Sequence, residues 1–550
     1  MRETNASRPT KALLIYPRFN GPSFWNYRAT CELLGARYPA APLGLMTVAA
    51  LLPQDWDIRL IDRNVQPLDV ADIDRADIVM AGGMLPQQRD LLQIIDLCRA
   101  RGKPIVVGGP DVTSSPHIYE RADFQVLGEA ESVLPAFIAA WNSGARRGVF
   151  EAEKFQADVT KSPAPRFDLI RFQDYLFIGV QFSRGCPFNC EFCDIIELYG
   201  RVPRTKTAPQ MLAELEALYR LGYRGHVDFS DDNLIGNKKA LRLFLPHLKA
   251  WQEAHGFPFM FSTEASINLA DDDALLAIMR DCNFFTMFVG IESPDPETLV
   301  AMQKKQNTRR SLADSVHKIY QAGIFVNAGF ILGFDTEKAG TAQEIVNCIE
   351  ATSIPVSLVG LLYALPNTQL TRRLQREGRL YSGHDTNTEL ADQCVAGLNF
   401  VTARPRRDLL ADYLWILDRV YRPAAYFGRV RRVGRALRPP SRGGAFSWKG
   451  FARDLAQLGF ILGRMSLWRP RLTLYFFGTV IDCAARNPGA LENVMAMISL
   501  YLHLGPFARE VAQQIQQQID DIDAGKWAAP PLLPPEPALA GPRPILQAVS

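Results

Sequence analysis

No stretch of this 550-residue chain approaches the roughly 18 uninterrupted apolar residues that a membrane span needs, so no transmembrane segment is expected. The start, MRETNASRPTK, lacks the apolar run of a secretory leader, and what reads as a first strand follows it directly. Charge of one sign is also lacking. Against 61 Lys and Arg stand 58 Asp and Glu, a net of +3, so no nucleic-acid partner is expected. Cysteine is sparse and mostly dispersed: nine residues, an odd set, fit a reducing cytoplasm better than a disulfide framework. There is no internal repeat and no G-x-G-x-x-G dinucleotide fingerprint. What is present, 47% hydrophobic and 22% charged residues, is the composition of a globular protein of roughly three or four domains.

Over 11–144, strand-like and helical patterns alternate: KALLIY, PLGLMTVAALL, IRLID, ADIVMAGG, a helical stretch around 91–101, then PIVVGGP. Apolar strands separated by crossover helices imply a parallel sheet covered on both faces. Its ligands would lie beyond the carboxyl ends of the strands, at 62–65, 82–85 and 108–112. Residues 1–145 are taken as this domain and 146–170, polar with prolines, as a linker. A second series fills 171–400: FIGVQFS, HVDFSDDN, FMFSTEASI, FFTMFVGIES, FVNAGFILGF and VGLLYALP. About six βα units predict a partial (β/α)6 barrel with its site at the strand ends. Residues 401–527 read as a helical C-terminal domain, and 528–550, rich in Pro and Ala, as a disordered tail.

Three of the cysteines fall inside eight residues, Cys186-x-x-x-Cys190-x-x-Cys193. Structural zinc takes four protein ligands, and a four-cysteine iron–sulfur site fills every iron. Here no His or fourth Cys lies within about thirty residues. A cubane held by three thiolates keeps one iron open for a small chelating ligand. The rival reading is a zinc knuckle completed from afar, or three core thiols, but Gly185 and Pro187 mark a loop at a strand end, not a packed helix face.

This motif resembles the radical S-adenosylmethionine (SAM) superfamily, and the resemblance covers 177–366, with the aromatic Phe192 just before the third cysteine. It implies a 4Fe–4S cluster on Cys186, Cys190 and Cys193, a SAM molecule chelated to the open iron, and a deoxyadenosyl radical released on reduction. It further implies cofactor contacts at successive strand ends: Asp231, Asp232 and Asn233, which replace the Gly-Gly-Glu-like stretch common in the family; Glu264; Glu292 and Ser293; and Ile331 and Gly333 of GFILGF. The ALPNT segment looks like the sixth-strand loop. Any one of these could instead simply close a strand.

A Rossmann-like layer before such a barrel resembles the cobalamin-binding radical enzymes. Gly82 and Gly83, with Gly108 and Gly109, would let backbone approach the corrin and nucleotide tail, or would only make tight turns. The Asp-x-His-x-x-Gly signature is missing, because Asp62-Arg63-Asn64 follows the second sheet strand and the only His before the cluster is His117. Cobalamin is therefore expected base-off, with no His on cobalt. CDIIELYGRVPRTKT resembles the subgroup that includes the hopanoid C-methylases, with Arg201, Arg204 and Lys206 either beside the cofactor or an acidic substrate group, or solvated.

Between Arg404 and Arg471, sixteen Lys and Arg face four acids, interleaved with Tyr413, Trp415, Tyr421, Tyr426, Phe427, Trp448, Phe451 and Trp468. This region either contacts a membrane, an anionic substrate or RNA, or forms a helical cap with snorkelling side chains. LTLYFFGTVI is expected in the core. The resemblance implies a cobalamin-dependent methyltransferase acting on an unactivated carbon of a small-molecule or lipid-like substrate, fed by an electron donor such as flavodoxin or ferredoxin; the cysteine usage places it in the cytoplasm, with peripheral membrane contact left open by the basic region. The alternatives are a radical cyclase or rearrangement enzyme without methyl transfer, and a non-catalytic metal or iron–sulfur protein. No residue is assigned to the substrate's own chemistry.

Overall fold

The computed structural model describes residues 8–19, 21, 23–308, 310–382, 397–440 and 459–535. Near the N-terminus β1 (Lys11–Tyr16), β3 (Asp57–Asp62), β4 (Ile78–Gly82), β5 (Ile105–Gly108), β6 (Phe124–Leu127) and β7 (Gly148–Glu151) form a six-stranded sheet. The order is β3-β1-β4-β5-β6-β7, and every pair is parallel. Strand order reverses between β1 and β4, which opens a crevice at their carboxyl ends, where such sheets take ligands. Apolar side chains bury both faces: Leu14 and Met80 on one, Leu13, Ile15 and Val79 on the other.

The barrel contributes β8 (Tyr175–Val180), β11 (Gly225–Phe229), β12 (Phe259–Thr263), β13 (Thr286–Glu292), β14 (Phe325–Leu332) and β15 (Ser357–Leu361). A short antiparallel pair, β9 (Ser183–Arg184) and β10 (Arg204–Thr205), brackets the cysteine loop. Parallel pairing runs β8-β11-β12 and β13-β14-β15, and the bridges Phe261 to Phe284 and Glu264 to Phe288 join the two sets. The arc does not close on itself, so both edges need partners.

One edge is met by β2 (Tyr38–Ala40), which leaves the N-terminal segment to pair with β8. The other is met by side chains. The C-terminal helix Arg406–Val420 lies along β15, where Tyr413 donates its hydroxyl to the Val359 carbonyl at 2.9 Å and Tyr421 donates to that of Ser357 at 2.5 Å. Buried carbonyls of an edge strand are thus satisfied without another strand. The long helix Leu491–Asp523 then reaches back to the N-terminal loop: Thr30 donates to the Ser499 carbonyl at 3.0 Å, and His503 Nε2 lies 2.7 Å from the Ser23 carbonyl oxygen.

Four expectations change. Residues 148–151, placed in a linker, are the edge strand of the N-terminal sheet, because Val149 and Phe150 pair with β6. Part of the tail is ordered, since Leu533 donates its backbone N–H to the Leu380 carbonyl at 2.8 Å; 536–550 lie outside the described residues. Tyr413, Tyr421, Tyr426 and Phe427 are core, not surface aromatics, while Trp448 and Phe451 lie outside the described residues. LTLYFFGTVI is only half core: Phe476 and Val480 are buried, whereas Leu474, Phe477 and Ile481 face out.

Candidate active site

The cysteine loop leaves β9 through Gly185, at φ +97°, where a Cβ would lie 2.9 Å from the Gly200 carbonyl oxygen; only glycine fits. Its N–H donates to Asp232 at 2.8 Å, and the Cys186 N–H donates to the Gly200 carbonyl at 3.2 Å. The loop is tied to the barrel wall by Glu191, whose N–H donates to Met302 O and whose carbonyl accepts from Leu370 N. Asn233 and Gln306 aim amide nitrogens at the Cys186 and Cys190 sulfurs, each at 3.8 Å. Cys190 is buried and the other two are half-buried. Three soft thiolate donors with amide donors around them fit an iron–sulfur cluster, and among the described residues no set of three or more His, Cys, Asp or Glu is arranged for a single metal ion.

Behind the loop, Lys304 pairs with Glu292 at 2.5 Å, both nearly buried, and its Nζ lies 5.8 Å from the centre of the Phe192 ring. Phe192 in turn meets Phe334 edge-on at 5.9 Å. Glu292 sits at φ +64°, at a register shift in β13, and no sequence pattern pointed to Lys304 as its partner. Gly290 leaves room for the pair, since a Cβ there would overlap both.

The acidic stretch after β11 divides its work. Asp231 is consumed: it accepts from the Phe182 N–H at 3.0 Å and from both the N–H and hydroxyl of Ser183 at 2.5 Å. Burial, moderated by those bonds, raises its carboxyl to about 7. Asp232 is raised to about 6, again chiefly by burial, and holds Gly185. Asn233 links Cys186 to Ser266. Glu264 differs from these, since its side chain reaches open space inside the arc. Its carboxyl is pushed upward by the surrounding protein and by the charges of Asp228, Asp232 and Glu292.

Two expected contacts are otherwise engaged. The Gly333 N–H donates to both carboxylate oxygens of Glu337 at 2.9 Å, and Ser293, fully buried, accepts from the Asp295 N–H at 3.2 Å. Ile331 is half-buried on β14. Of the three cations past the loop, Arg204 pairs with Glu129 at 2.7 Å and Lys206 with the buried Glu214, so neither is left for a substrate acid; Arg201 reaches only the Pro187 carbonyl, at 3.3 Å.

Deeper in the barrel, alternation on β11 and β12 turns His226, Asp228 and Ser262 inward. Ser262 donates to Asp228 and lies 2.5 Å from His226 Nε2, and burial lowers His226 to about 3, keeping it neutral. The loop after β1 brings Trp25 within 5.1 Å of Phe288, and Tyr27 close enough for Asp228 to add to the burial that raises its hydroxyl.

The N-terminal sheet meets this mouth with its carboxyl ends. Arg184, two residues before Cys186, pairs with Glu131 at 2.6 Å and Glu129 at 3.2 Å, both just beyond β6, and Asn367 donates to the Ser114 carbonyl at 2.6 Å. At the ends of β4 and β5 the backbone of Gly82, Gly108 and Gly109 is accessible, and Gly83 is buried. Side chains there would strike neighbouring backbone: a Cβ on Gly82 would lie 2.9 Å from Gly108 O. The glycines therefore let two strand ends close up and leave a bare backbone surface, which fits a large planar group such as corrin.

Comparison with known proteins accords with both halves. Residues 33–138 match a B12 binding domain, 180–349 the Radical SAM superfamily, and 368–517 a domain of unknown function (DUF4070). An uncharacterized methyltransferase of Synechocystis is 43% identical over 93% of this chain and 94% of its own. The hopanoid C-2 methylase of Rhodopseudomonas palustris is 34% identical over 93% of this chain and 96% of its own. The chain belongs to the cobalamin-binding radical SAM methyltransferases. In fold, this methyltransferase is similar to the solved structure of TsrM, a radical SAM methyltransferase from Kitasatospora setae, with a TM-score of 0.57 and 14% identity over 88% of this chain and 100% of that one. Its cofactors are accordingly a 4Fe–4S cluster, SAM and cobalamin. No helix among its described residues is long and apolar enough to cross a membrane.

Proposed function

We propose that this enzyme methylates an unactivated carbon of an apolar, lipid-like small molecule bound inside the barrel. The carrying observation is the likeness to the hopanoid C-2 methylase along nearly the whole chain, helical C-terminal region included. The aromatic wall of Trp25, Tyr27 and Phe288 supports an apolar guest.

Cys186, Cys190 and Cys193 would hold the cluster, with Phe192 beside it, and Asp232, Asn233, Glu264 and Glu292 would face SAM. Gly82, Gly108 and Gly109 would lie under cobalamin, with the buried Gly83 behind them, and the cofactor would be base-off because Asp62, Arg63 and Asn64 offer no imidazole. When bound, these groups supply a hydrogen-abstracting radical and a methyl donor. The chain's own part is to hold and shield them. Lys304 and Glu292 neutralise each other behind the loop, Asp232 fixes its glycine hinge, and Glu264 presents an exposed carboxyl at the strand end. Asp231 and Gly333 serve the scaffold. Reduction would come from a flavodoxin or ferredoxin in the cytoplasm, and a lipid-like substrate implies contact with a membrane surface.

The test is comparative metabolite profiling of a deletion strain, lipid and pigment fractions included, followed by turnover of the lost compound's precursor by reconstituted enzyme. A product heavier by one methylene is expected. Ring closure or rearrangement with no added carbon would overturn the proposal and favour a radical cyclase.

A further inference from the structure

Helix Thr473–Arg486 is apolar on both sides. Phe476, Val480 and Cys483 pack inward, while Leu474, Phe477 and Ile481, at spacings of three and four, stand outward and are 86%, 41% and 63% exposed. The helical residues just before it also expose Phe460 at 59%, Leu467 at 84% and Trp468 at 38%. A helix hydrophobic all round belongs in a core or against lipid, and the helices here are too short to span. Isolated exposed apolar residues are ordinary, but six large ones on consecutive helices are not.

The charged side chains along 460–486 are mostly basic. Arg464, Arg469, Arg471 and Arg486 accompany this face, and its one acid, Asp482, is neutralised by Arg435 at 2.6 Å and Arg486 at 3.0 Å. Arg464 lies with its guanidinium carbon 4.5 Å from the Trp468 ring centre and 5.8 Å from that of Phe460. An apolar face with aromatics and arginines at its border suits the headgroup layer of a bilayer, where the rings and aliphatic stems lie among acyl chains and the guanidiniums meet phosphates.

We infer that the surface formed by Phe460, Leu467, Trp468, Leu474, Phe477 and Ile481 docks on an anionic lipid bilayer. This deepens the lipid-substrate reading by naming the face that meets the membrane, and its experiment reads lipid binding separately from methyl transfer.

Full-length protein is floated with phosphatidylcholine vesicles with and without phosphatidylglycerol, and Trp emission is recorded. Binding to the anionic vesicles that weakens with salt is expected. The variant Leu474→Ser/Phe477→Ser/Ile481→Ser should bind at least roughly tenfold more weakly, with unchanged circular dichroism and melting. Arg469→Glu/Arg471→Glu should lose the preference for anionic lipid. The inference falls if the wild type does not float, if the apolar triple variant floats equally well, or if the wild type is a dimer that the triple variant dissolves, which would make a second copy the occupant. Methyl transfer lost while flotation persists would count against the substrate reading and leave this surface standing.

Discussion

Replacing Arg184 by Met tests how the N-terminal sheet is fastened to the cluster loop. Arg184 donates to Glu131 at 2.6 and 2.9 Å, to Glu129 at 3.2 Å and to Gln181 at 2.7 Å. The ion-pair side chains are 13%, 7% and 4% exposed. Burial alone would raise Glu131, but hydrogen bonding and charge from Arg184, with help from the Ser162 hydroxyl, hold it at about 2 against an ordinary 4.5. At neutral pH that depression corresponds to about 3 kcal/mol of stability. Removing one partner of a buried pair costs about 3 to 5 kcal/mol, in agreement. The folded carboxyl is the stronger acid, so the contribution is complete above about pH 4.5 and is lost as pH falls toward about 2. The variant should therefore show its full deficit near neutrality and a smaller one in acid, where the stranded Glu131 takes up a proton. Urea unfolding of the cofactor-free protein, followed by circular dichroism, reads both. Adding Glu131→Gln to the variant should recover more than half of the loss, since Arg204 still serves Glu129. A single variant within about 0.5 kcal/mol of wild type near neutrality, or no recovery in the double, would refute the argument.

Single replacement of Cys186, Cys190 or Cys193 by Ala should abolish iron–sulfur absorbance and SAM cleavage, whereas Cys31→Ala, Cys98→Ala and Cys483→Ala, all at buried packing positions, should keep both. Cobalt(II) electron paramagnetic resonance of the cobalamin-loaded protein should lack nitrogen hyperfine splitting, and His117→Ala, at an exposed position after β5, should leave the spectrum unchanged; a split signal would contradict the base-off assignment.

The barrel strands were legible because each is an apolar run ending in polar residues, and the cysteine loop because its spacing is dense and short. The edge closures were not. Three residues at Tyr38–Ala40 carry no strand signal of their own, and their partner β8 lies far along the chain. Val149 and Phe150 sit among polar neighbours, so a strand there is decided by β6, not by local pattern. Composition separates binding carboxylates from scaffold ones no better: Asp231 and Asp232 are neighbours, yet one is spent on β8 and β9 and the other on the loop glycine. Nor could periodicity assign the faces of a helix apolar on both, as at 473–486.

The insertion of β2 between two strands of another sheet has a consequence for how the molecule can be divided. The chain begins one sheet with β1, visits the barrel to lay down β2, and returns to finish the first sheet, so no single cut separates the two. A barrel expressed from β8 onward would present a bare edge at β8, and a chain ending at β15 would leave the Ser357 and Val359 carbonyls without their tyrosines. The emerging polypeptide must therefore hold an unfinished barrel on the ribosome until the last helices are made.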